Sequence, residues 1–174
     1  EIMPSLVGSE MCIRDRVMTK EDKEKLFHNY PGLREEYEKH FFENFKDSSV
    51  KMDKYLDIEV IEVGNDFIIA KMPVTEKTKQ PYGILHGGAS CVLAESVGSI
   101  AAALTMDGTK KYPVGIEINA NHISSPTDGY VYAKAVPVHV GGSTSVWNID
   151  ITDDNDKRVC FSRFTALHKT YPTK

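Results

Sequence analysis

The chain has 174 residues, with 21 lysines and arginines against 25 aspartates and glutamates, for a formal net charge of −4. This mild negative charge, without a basic run, argues against nucleic acid as the main partner. No stretch reaches the apolar length of a membrane span and the cysteines form no CxxC motif, so we expect a soluble, cytoplasmic protein without a metal site or a membrane partner.

Residues 1–17 differ in character from the rest of the chain. They show no periodicity and no helix caps, and the stretch LVGSEMCIRDR resembles the translated read-through of a sequencing adaptor. We therefore expect a non-native leader here and a native start at Met18. A genuine disordered leader or a weak targeting peptide is the alternative, although the continuous apolar region of a signal peptide is missing.

Residues 18–54 predict an N-terminal helical extension, because residues 19–46 are helical in composition. A short helix ends near Asn29, Pro31-Gly32 breaks it, and a second helix runs from about Leu33 to Lys46. An aromatic stripe on the second helix predicts packing against the domain or a neighbouring subunit, and a lid over a ligand is the alternative.

Residues 55–174 predict one domain, which begins with a β-hairpin. Leu56, Ile58 and Val60 alternate with acidic residues, the Gly-Asn-Asp turn follows at 64–66, and residues 67–72 return as the second strand. The alternation shifts by one after Val60, which predicts a bulge there.

Residues 86–104 predict a long helix that carries a carboxylate. Gly87 and Gly88 suit its first turn, where free backbone N–H groups can hold an oxyanion. Glu95 and Ser99 share one helix face, and Glu95 interrupts an apolar run that a fully buried helix would keep uncharged. A core helix with Glu95 at a wet edge is the alternative. The residues spaced to cover the interior are Val92, Leu93, Val97, Ile100 and Leu104.

Four more strands are predicted at roughly 114–123, 130–140, 144–152 and 158–168. Two strands, one helix and four strands suit an α+β fold in which an antiparallel sheet wraps around one helix, since the alternation typical of a parallel sheet is absent. Strict alternation in the first of these strands places on one face Val114, Ile116, Ile118, Ala120 and His122. His122 ends this apolar face, either as a functional residue or as a satisfied histidine at the edge of the core.

The most specific motif lies at residues 80–103, QPYGILHGGASCVLAESVGSIAAA. It resembles the signature of hotdog-fold acyl-CoA thioesterases, and the likeness extends over VGIEINANHI, VPVHVGGSTSVWNIDI and RVCFSRFTALH. The chain is similar to the PaaI-like branch, which holds one type of 4-hydroxybenzoyl-CoA thioesterase and the 1,4-dihydroxy-2-naphthoyl-CoA hydrolases. The resemblance implies a hotdog fold, with a six-stranded antiparallel sheet around one long central helix.

The resemblance assigns five residues to catalysis. Glu95 corresponds to the catalytic carboxylate, which acts as a nucleophile through a mixed anhydride or as a general base on water. Gly87 corresponds to the residue whose backbone N–H polarises the thioester carbonyl. Gln80 and His86 correspond to side chains that orient this carbonyl or a water, and Ser99 to a hydroxyl that positions water. Each also has a structural alternative, such as a helix cap for His86.

The resemblance also assigns residues to the acyl group and to CoA. The turns around 124–126 and 139–144 correspond to segments that hold the nucleotide, and the histidine that matches position 122 lies beside the acyl group. The predicted substrate-binding residues are His122, Ser96, Tyr82, Ser124, Ser125, Gly141, Gly142 and Ser143. Relatives often have an arginine directly after this histidine region, where the present chain has two serines, and ordinary hairpin turns are the alternative for both segments.

These assignments imply a thioesterase that cleaves an acyl-CoA, with an aromatic or other bulky acyl group, into the free acid and CoA without a cofactor. The resemblance implies that Glu95 and the Gly87 N–H of one site come from different subunits, and hence a homo-oligomer, either a dimer of hotdogs or a tetramer. Two alternatives stay open: a hydrolase of acyl or aryl groups mischarged on a carrier protein, and a non-catalytic acyl-CoA-binding oligomer.

Overall fold

A six-stranded antiparallel sheet and one long helix form the core of the protein. The computed structural model describes residues 51–172, so the helices predicted before residue 47 lie outside the described residues. The elements are α1 (Lys51–Tyr55), β1 (Glu59–Val63), β2 (Ile68–Pro73), α2 (Gly87–Ala103), β3 (Lys111–His122), β4 (Tyr130–Val140), β5 (Thr144–Asp153) and β6 (Arg158–Thr170). The strand order is β1-β2-β4-β5-β6-β3, so the predicted α+β hotdog architecture is confirmed.

The predicted first hairpin is present, but its first strand begins three residues later than expected. The Ile58 N–H donates to the Asp53 carbonyl at 2.9 Å and Asp57 has a φ of 57°, so this segment closes α1 instead of extending β1. Helix α1 lies at the end of the helical extension predicted for residues 18–54, beyond the second helix expected there, which ends near Lys46. The bulge expected near Val60 is confirmed, because the β1–β2 register shifts between Val60 and Glu62.

Helix α2 packs its small residues against the concave face of the sheet. Its buried residues are Ala89, Ser90, Leu93, Ala94, Val97, Gly98, Ala101 and Ala102. The approach is closest at Gly98, where a Cβ would lie 2.5 Å from Cδ1 of the fully buried Phe164. Val92 and Ile100, predicted in the interior, are only half-buried because they lie beside the face that the sheet covers. Among the described residues, no helix combines the length and apolar character that crossing a membrane requires.

Strand β3 lies at one edge of the sheet, and its alternation differs from the prediction. The register with β6 shifts between Gly115 and Glu117, so Ile116 is the extra residue of a bulge and is 57% exposed. Beyond the bulge, His122 faces α2 as expected. Before it the parity is reversed, and Gly115 faces α2 in place of its neighbours. The predicted placement of Val114 and Ile116 on the helix-facing side is therefore wrong, because a bulge inverts a period of two.

Candidate active site

The carboxylate of Glu95 lies against the backbone of β3, in the middle of α2. A Cβ on Gly115 would overlap Oε1 of Glu95, so the carboxylate occupies the space that a side chain at position 115 would take. The Phe164 ring closes the inner side of this space, with Cε2 2.9 Å from the same Cβ position. Gly115 itself is exposed, so the carboxylate lies next to an accessible part of β3.

The Glu95 carboxylate keeps its ability to accept a proton. Within residues 51–172 its side chain has neither a hydrogen bond nor an ion pair. Burial raises the pKa of the Glu95 carboxyl above its usual 4.5, because the charged form loses hydration that no donor replaces. A half-buried carboxylate without a partner can accept a proton from water or attack an electrophilic carbon.

The first turn of α2 leaves one backbone N–H free. His86 caps the helix: its Nδ1 accepts the Gly88 N–H at 2.8 Å, and its carbonyl accepts the Ala89 N–H at 2.9 Å. The capping role that the sequence left as an alternative for His86 is therefore present. The Gly87 N–H has no acceptor in the described part of the chain, and it lies at the positive end of the helix dipole. This N–H can donate to an oxygen that develops negative charge.

The imidazole of His122 lies beside this free N–H. A Cβ built on Gly87 would be 2.8 Å from Nε2 of His122, so the ring covers the start of α2. The ring is exposed and has no hydrogen bond among the residues that the structure describes. The structure therefore brings together two of the predicted site residues, one from α2 and one from the end of β3.

The loop before α2 folds back on itself, so that Thr78 pairs with His86 and Gln80 pairs with Ile84, further from the helix. The Gln80 N–H donates to the Ile84 carbonyl at 2.9 Å, and the His86 N–H donates to the Thr78 carbonyl at 2.8 Å. Gln80 is half-buried, and its side-chain amide has no partner within the described chain. Tyr82 lies at the tip of the loop and is 85% exposed, so in a single chain it does not line an enclosed acyl pocket.

The two serines near Glu95 on α2 have different surroundings. Ser99 lies one turn after Glu95, half-buried, and its hydroxyl has no partner among residues 51–172. Ser96 donates its hydroxyl to Oδ1 of Asp53 at 2.5 Å. This hydroxyl therefore joins α2 to α1, and the predicted role of Ser96 in the substrate site stays a prediction.

The turns predicted to hold the nucleotide lie at opposite ends of β3. Ser124 follows the end of β3 and donates its hydroxyl to the Arg158 carbonyl at 2.7 Å, with the exposed Ser125 beside it. The turn at 141–143 lies at the other end, where Nζ of Lys111 donates to the Gly142 carbonyl at 2.6 Å. The 12 residues of β3 span roughly 35 Å, so one chain does not bring these two segments together.

The catalytic candidates likewise form two groups within one chain. Glu95 follows Gly87 by eight residues, which is about 12 Å along the helix axis. The β3 residues that they contact, Gly115 and His122, are roughly 20 Å apart along the strand. One carbonyl group cannot contact both Glu95 and the Gly87 N–H across such distances.

Gly115 is absent from the site residues predicted from the sequence. Its one available signal is a glycine within an otherwise β-favouring segment, VGIEI, because glycine in a strand often marks a bulge or a close approach. A glycine in a strand does not show which side chain lies against it, since Glu95 and Gly115 belong to different elements.

Comparisons with known proteins agree with the fold. The family model described as "Thioesterase superfamily" matches residues 82–160. The 1,4-dihydroxy-2-naphthoyl-CoA hydrolase of Escherichia coli strain K12 is 49% identical over 112 residues, which are 64% of this chain and 82% of that protein. The proofreading thioesterase EntH of Cronobacter turicensis is 42% identical over 114 residues, 65% of this chain and 82% of that protein. The crystal structure of a thioesterase from Haemophilus influenzae superimposes with a TM-score of 0.71 at 39% identity, covering 75% of this chain and 92% of that one.

Proposed function

Since the chain belongs to the thioesterase superfamily, we propose that it hydrolyses an acyl-CoA thioester at a site built from Glu95 of one copy and the helix start of a second copy. The observation that carries the proposal is the Glu95 carboxylate, half-buried and without a partner in the described chain, next to an accessible part of β3. A thioesterase needs such a group, because either an activated water or a nucleophile must reach the carbonyl carbon.

Two courses for the carboxylate balance chemically. As a nucleophile, Glu95 adds to the carbonyl carbon, the C–S bond breaks, CoA leaves as a thiolate that takes a proton from water, and a second water hydrolyses the mixed anhydride. As a general base, Glu95 takes a proton from water while the resulting hydroxide adds to the same carbon; the C–S bond of the tetrahedral intermediate then breaks, and the CoA thiolate leaves and takes up the proton held by Glu95. Both courses require the ionised form. Because the pKa of Glu95 is raised above 4.5, activity should fall with decreasing pH at a correspondingly higher pH than for an exposed glutamate.

The free Gly87 N–H suits the other half of the reaction. When the carbonyl carbon becomes tetrahedral, its oxygen becomes negative, and an N–H at a helix start stabilises this charge. The His122 ring, which lies beside this N–H, is our candidate for orienting the same carbonyl, and the predicted role of Gln80 in this task stays a prediction. His86 contributes by capping the helix and holding the first turn open.

A second copy of the chain accounts for the distances. Strand β3 has an unpaired edge within the described sheet, and two copies related by a twofold axis can pair their β3 edges antiparallel. If this pairing centres near Ile118, Gly115 of one copy lies beside His122 of the other. The same pairing brings the turn at 141–143 of one copy toward Ser124 of the other. In this dimer, the same twofold axis would bring Glu95 close to the Gly87 N–H of the other copy and the two predicted nucleotide segments close to each other.

We propose an aromatic or other bulky acyl group as the substrate, because a relative of 49% identity is named for hydrolysis of an aromatic acyl-CoA. A second candidate is the hydrolysis of acyl groups mischarged on a carrier protein, which the similarity to a proofreading thioesterase favours. Both use the same reacting atoms and differ in what carries the thioester.

The test is release of thiol from a panel of CoA esters, with benzoyl and naphthoyl groups against short aliphatic ones. We expect the highest kcat/KM for the aromatic esters and a loss of about 100-fold or more in Glu95→Gln, which keeps the shape of the side chain and removes its basicity. Near wild-type turnover by Glu95→Gln would contradict the mechanism. Higher activity on an aryl-loaded carrier domain than on every CoA ester would favour the second candidate.

Sharing of the site between copies has its own test. Gly87→Pro removes the proposed donor at the first helical position, where proline is tolerated, and its Cβ also displaces the neighbouring His122 ring, so the variant disables this half of the site as a unit. His86 already has the extended φ of −75° and ψ of 130° that a following proline requires. Glu95→Gln and Gly87→Pro should each be inactive alone. Random co-assembly should restore about a quarter of wild-type activity, because half of the dimers are mixed and each has one intact site. No recovery would mean that one chain supplies both groups.

A further inference from the structure

We infer that Gly115 is a positioning residue for the Glu95 carboxylate, which occupies the space left by the missing side chain at this position. The expected effect on rate rests on the proposed function of Glu95. The geometric part of the inference is independent of that function and is tested separately below.

The space beside Gly115 has no room for both a Cβ and the carboxylate. A Cβ there would overlap Glu95 Oε1, and it would lie 3.1 Å from Glu95 Cδ and 2.9 Å from Cε2 of Phe164. Cβ atoms essentially never approach other heavy atoms within 3.0 Å. Any residue other than glycine must therefore displace the carboxylate or the ring.

The ring is the less movable of the two neighbours. Phe164 is fully buried, and a Cβ on Gly98 of α2 would lie 2.5 Å from its Cδ1. The ring is thus packed between two backbones, that of α2 at Gly98 and that of β3 at Gly115. Glu95, in contrast, is half-buried, and the end of its side chain can swing outward. A side chain at position 115 therefore displaces the carboxylate.

The bulge in β3 gives Gly115 this position. Without the extra residue Ile116, strict alternation would place Gly115 and His122 on opposite faces of the strand. With it, one strand directs an open stretch of backbone at Glu95 and an imidazole at the start of α2. The bulge and the glycine together create the space that the carboxylate fills.

The kinetic test is Gly115→Ala, assayed on the best CoA ester. We expect kcat to fall about 100-fold with a smaller change in KM, because a displacement of about 1 Å at a reacting group can have this effect. The acid limb of the pH–kcat profile should also move toward lower pH, since the displaced carboxylate is better solvated. Gly98→Ala is the matched control: it crowds the same ring without touching Glu95, so its acid limb should stay unchanged. Wild-type kcat and an unmoved limb in Gly115→Ala would overturn the inference.

The second test does not depend on activity. Thermal unfolding is measured for Gly115→Ala, Glu95→Ala and the double variant. If the carboxylate fills the space, Gly115→Ala should lower Tm in the wild type and lower it by less than half as much when Glu95 is already alanine. An equal loss in both backgrounds would overturn the inference, as would failure of the double variant to fold while Gly98→Ala folds. If the effects of the two substitutions on Tm are coupled but Glu95→Gln remains fully active, the positioning of Glu95 by Gly115 is correct and the proposed function is wrong.

Discussion

The hydroxyl of Ser145 is the centre of a buried polar network that predicts a large effect of Ser145→Ala on stability. Nε1 of Trp147 donates to this hydroxyl at 3.0 Å, and Nε2 of His168 lies 3.0 Å from it. Ser145 and Trp147 are fully buried and His168 is 8% exposed. The backbone N–H of His168 also donates to the Ser143 carbonyl at 2.8 Å, so the network supports the turn proposed to bind the nucleotide.

The size of the effect follows from the groups left behind. Ser145→Ala changes the volume little but leaves two buried ring nitrogens without a partner, on Trp147 and His168. Each buried group that loses its partner costs about 1–3 kcal/mol, which gives about 2–6 kcal/mol in total. We expect a value near 3 kcal/mol, because the hydroxyl itself no longer has to be desolvated on folding. Ser162→Ala is the control, since its buried hydroxyl donates only to the carbonyl of the exposed Asn119 and should cost about 1 kcal/mol.

The measurement is urea unfolding followed by the fluorescence of Trp147, the one tryptophan of the chain. All variants are compared at one protein concentration, because the stability of the proposed oligomer would depend on it. An unchanged m-value with a lower midpoint would assign the loss to the folded state. If Ser145→Ala loses no more stability than Ser162→Ala, the reasoning from stranded ring nitrogens is refuted.

Three further predictions concern charge and packing. Burial raises the pKa of Glu95, so the ionised carboxylate lowers the stability of the folded state above about pH 4.5. Glu95→Gln should therefore raise Tm near neutral pH, and a lower Tm would contradict this. Burial and, to a smaller extent, the nearby positive charges lower the pKa of His168 below 6.5. As the pH falls, His168 is therefore protonated in the unfolded chain before it is protonated in the folded protein. Stability should therefore decline as pH falls below 6.5, by up to about 1.4 kcal/mol per pH unit, and His168→Gln should flatten the pH dependence of the urea midpoint. Gly98→Ala crowds Phe164, which costs about 1–3 kcal/mol against a gain of about 1 kcal/mol in helix propensity, so a net loss near 1 kcal/mol is expected by urea unfolding. Gly108→Ala, with open space around it, should show no such loss.

The sequence alone predicted most of the elements, because their signals are local. Strand β4 was predicted with both its ends correct, since turn residues bound an alternating run on each side. The start of α2 at Gly87 follows from two glycines that suit only its first turn, and the bulge in β1 from a shift in alternation. Each of these patterns can be read within a window of about ten residues.

The sequence also singled out candidate site residues, most of the catalytic ones through one motif, but it did not predict their arrangement. It named Glu95 as the candidate carboxylate and placed it on the helix. It could not show that Gly115 of β3 lies against this carboxylate, because the contact joins two residues that are 20 positions apart and belong to different elements.

The tertiary structure decided two features that no local pattern carries. It reversed the alternation of β3 at Ile116, because a bulge depends on how the neighbouring strand pairs. It paired the Ser96 hydroxyl with Asp53 of α1, which lies 43 positions earlier in the chain. The sequence thus identified candidate groups for the chemistry, and the packing of the helix on the sheet decided which of them lie close together.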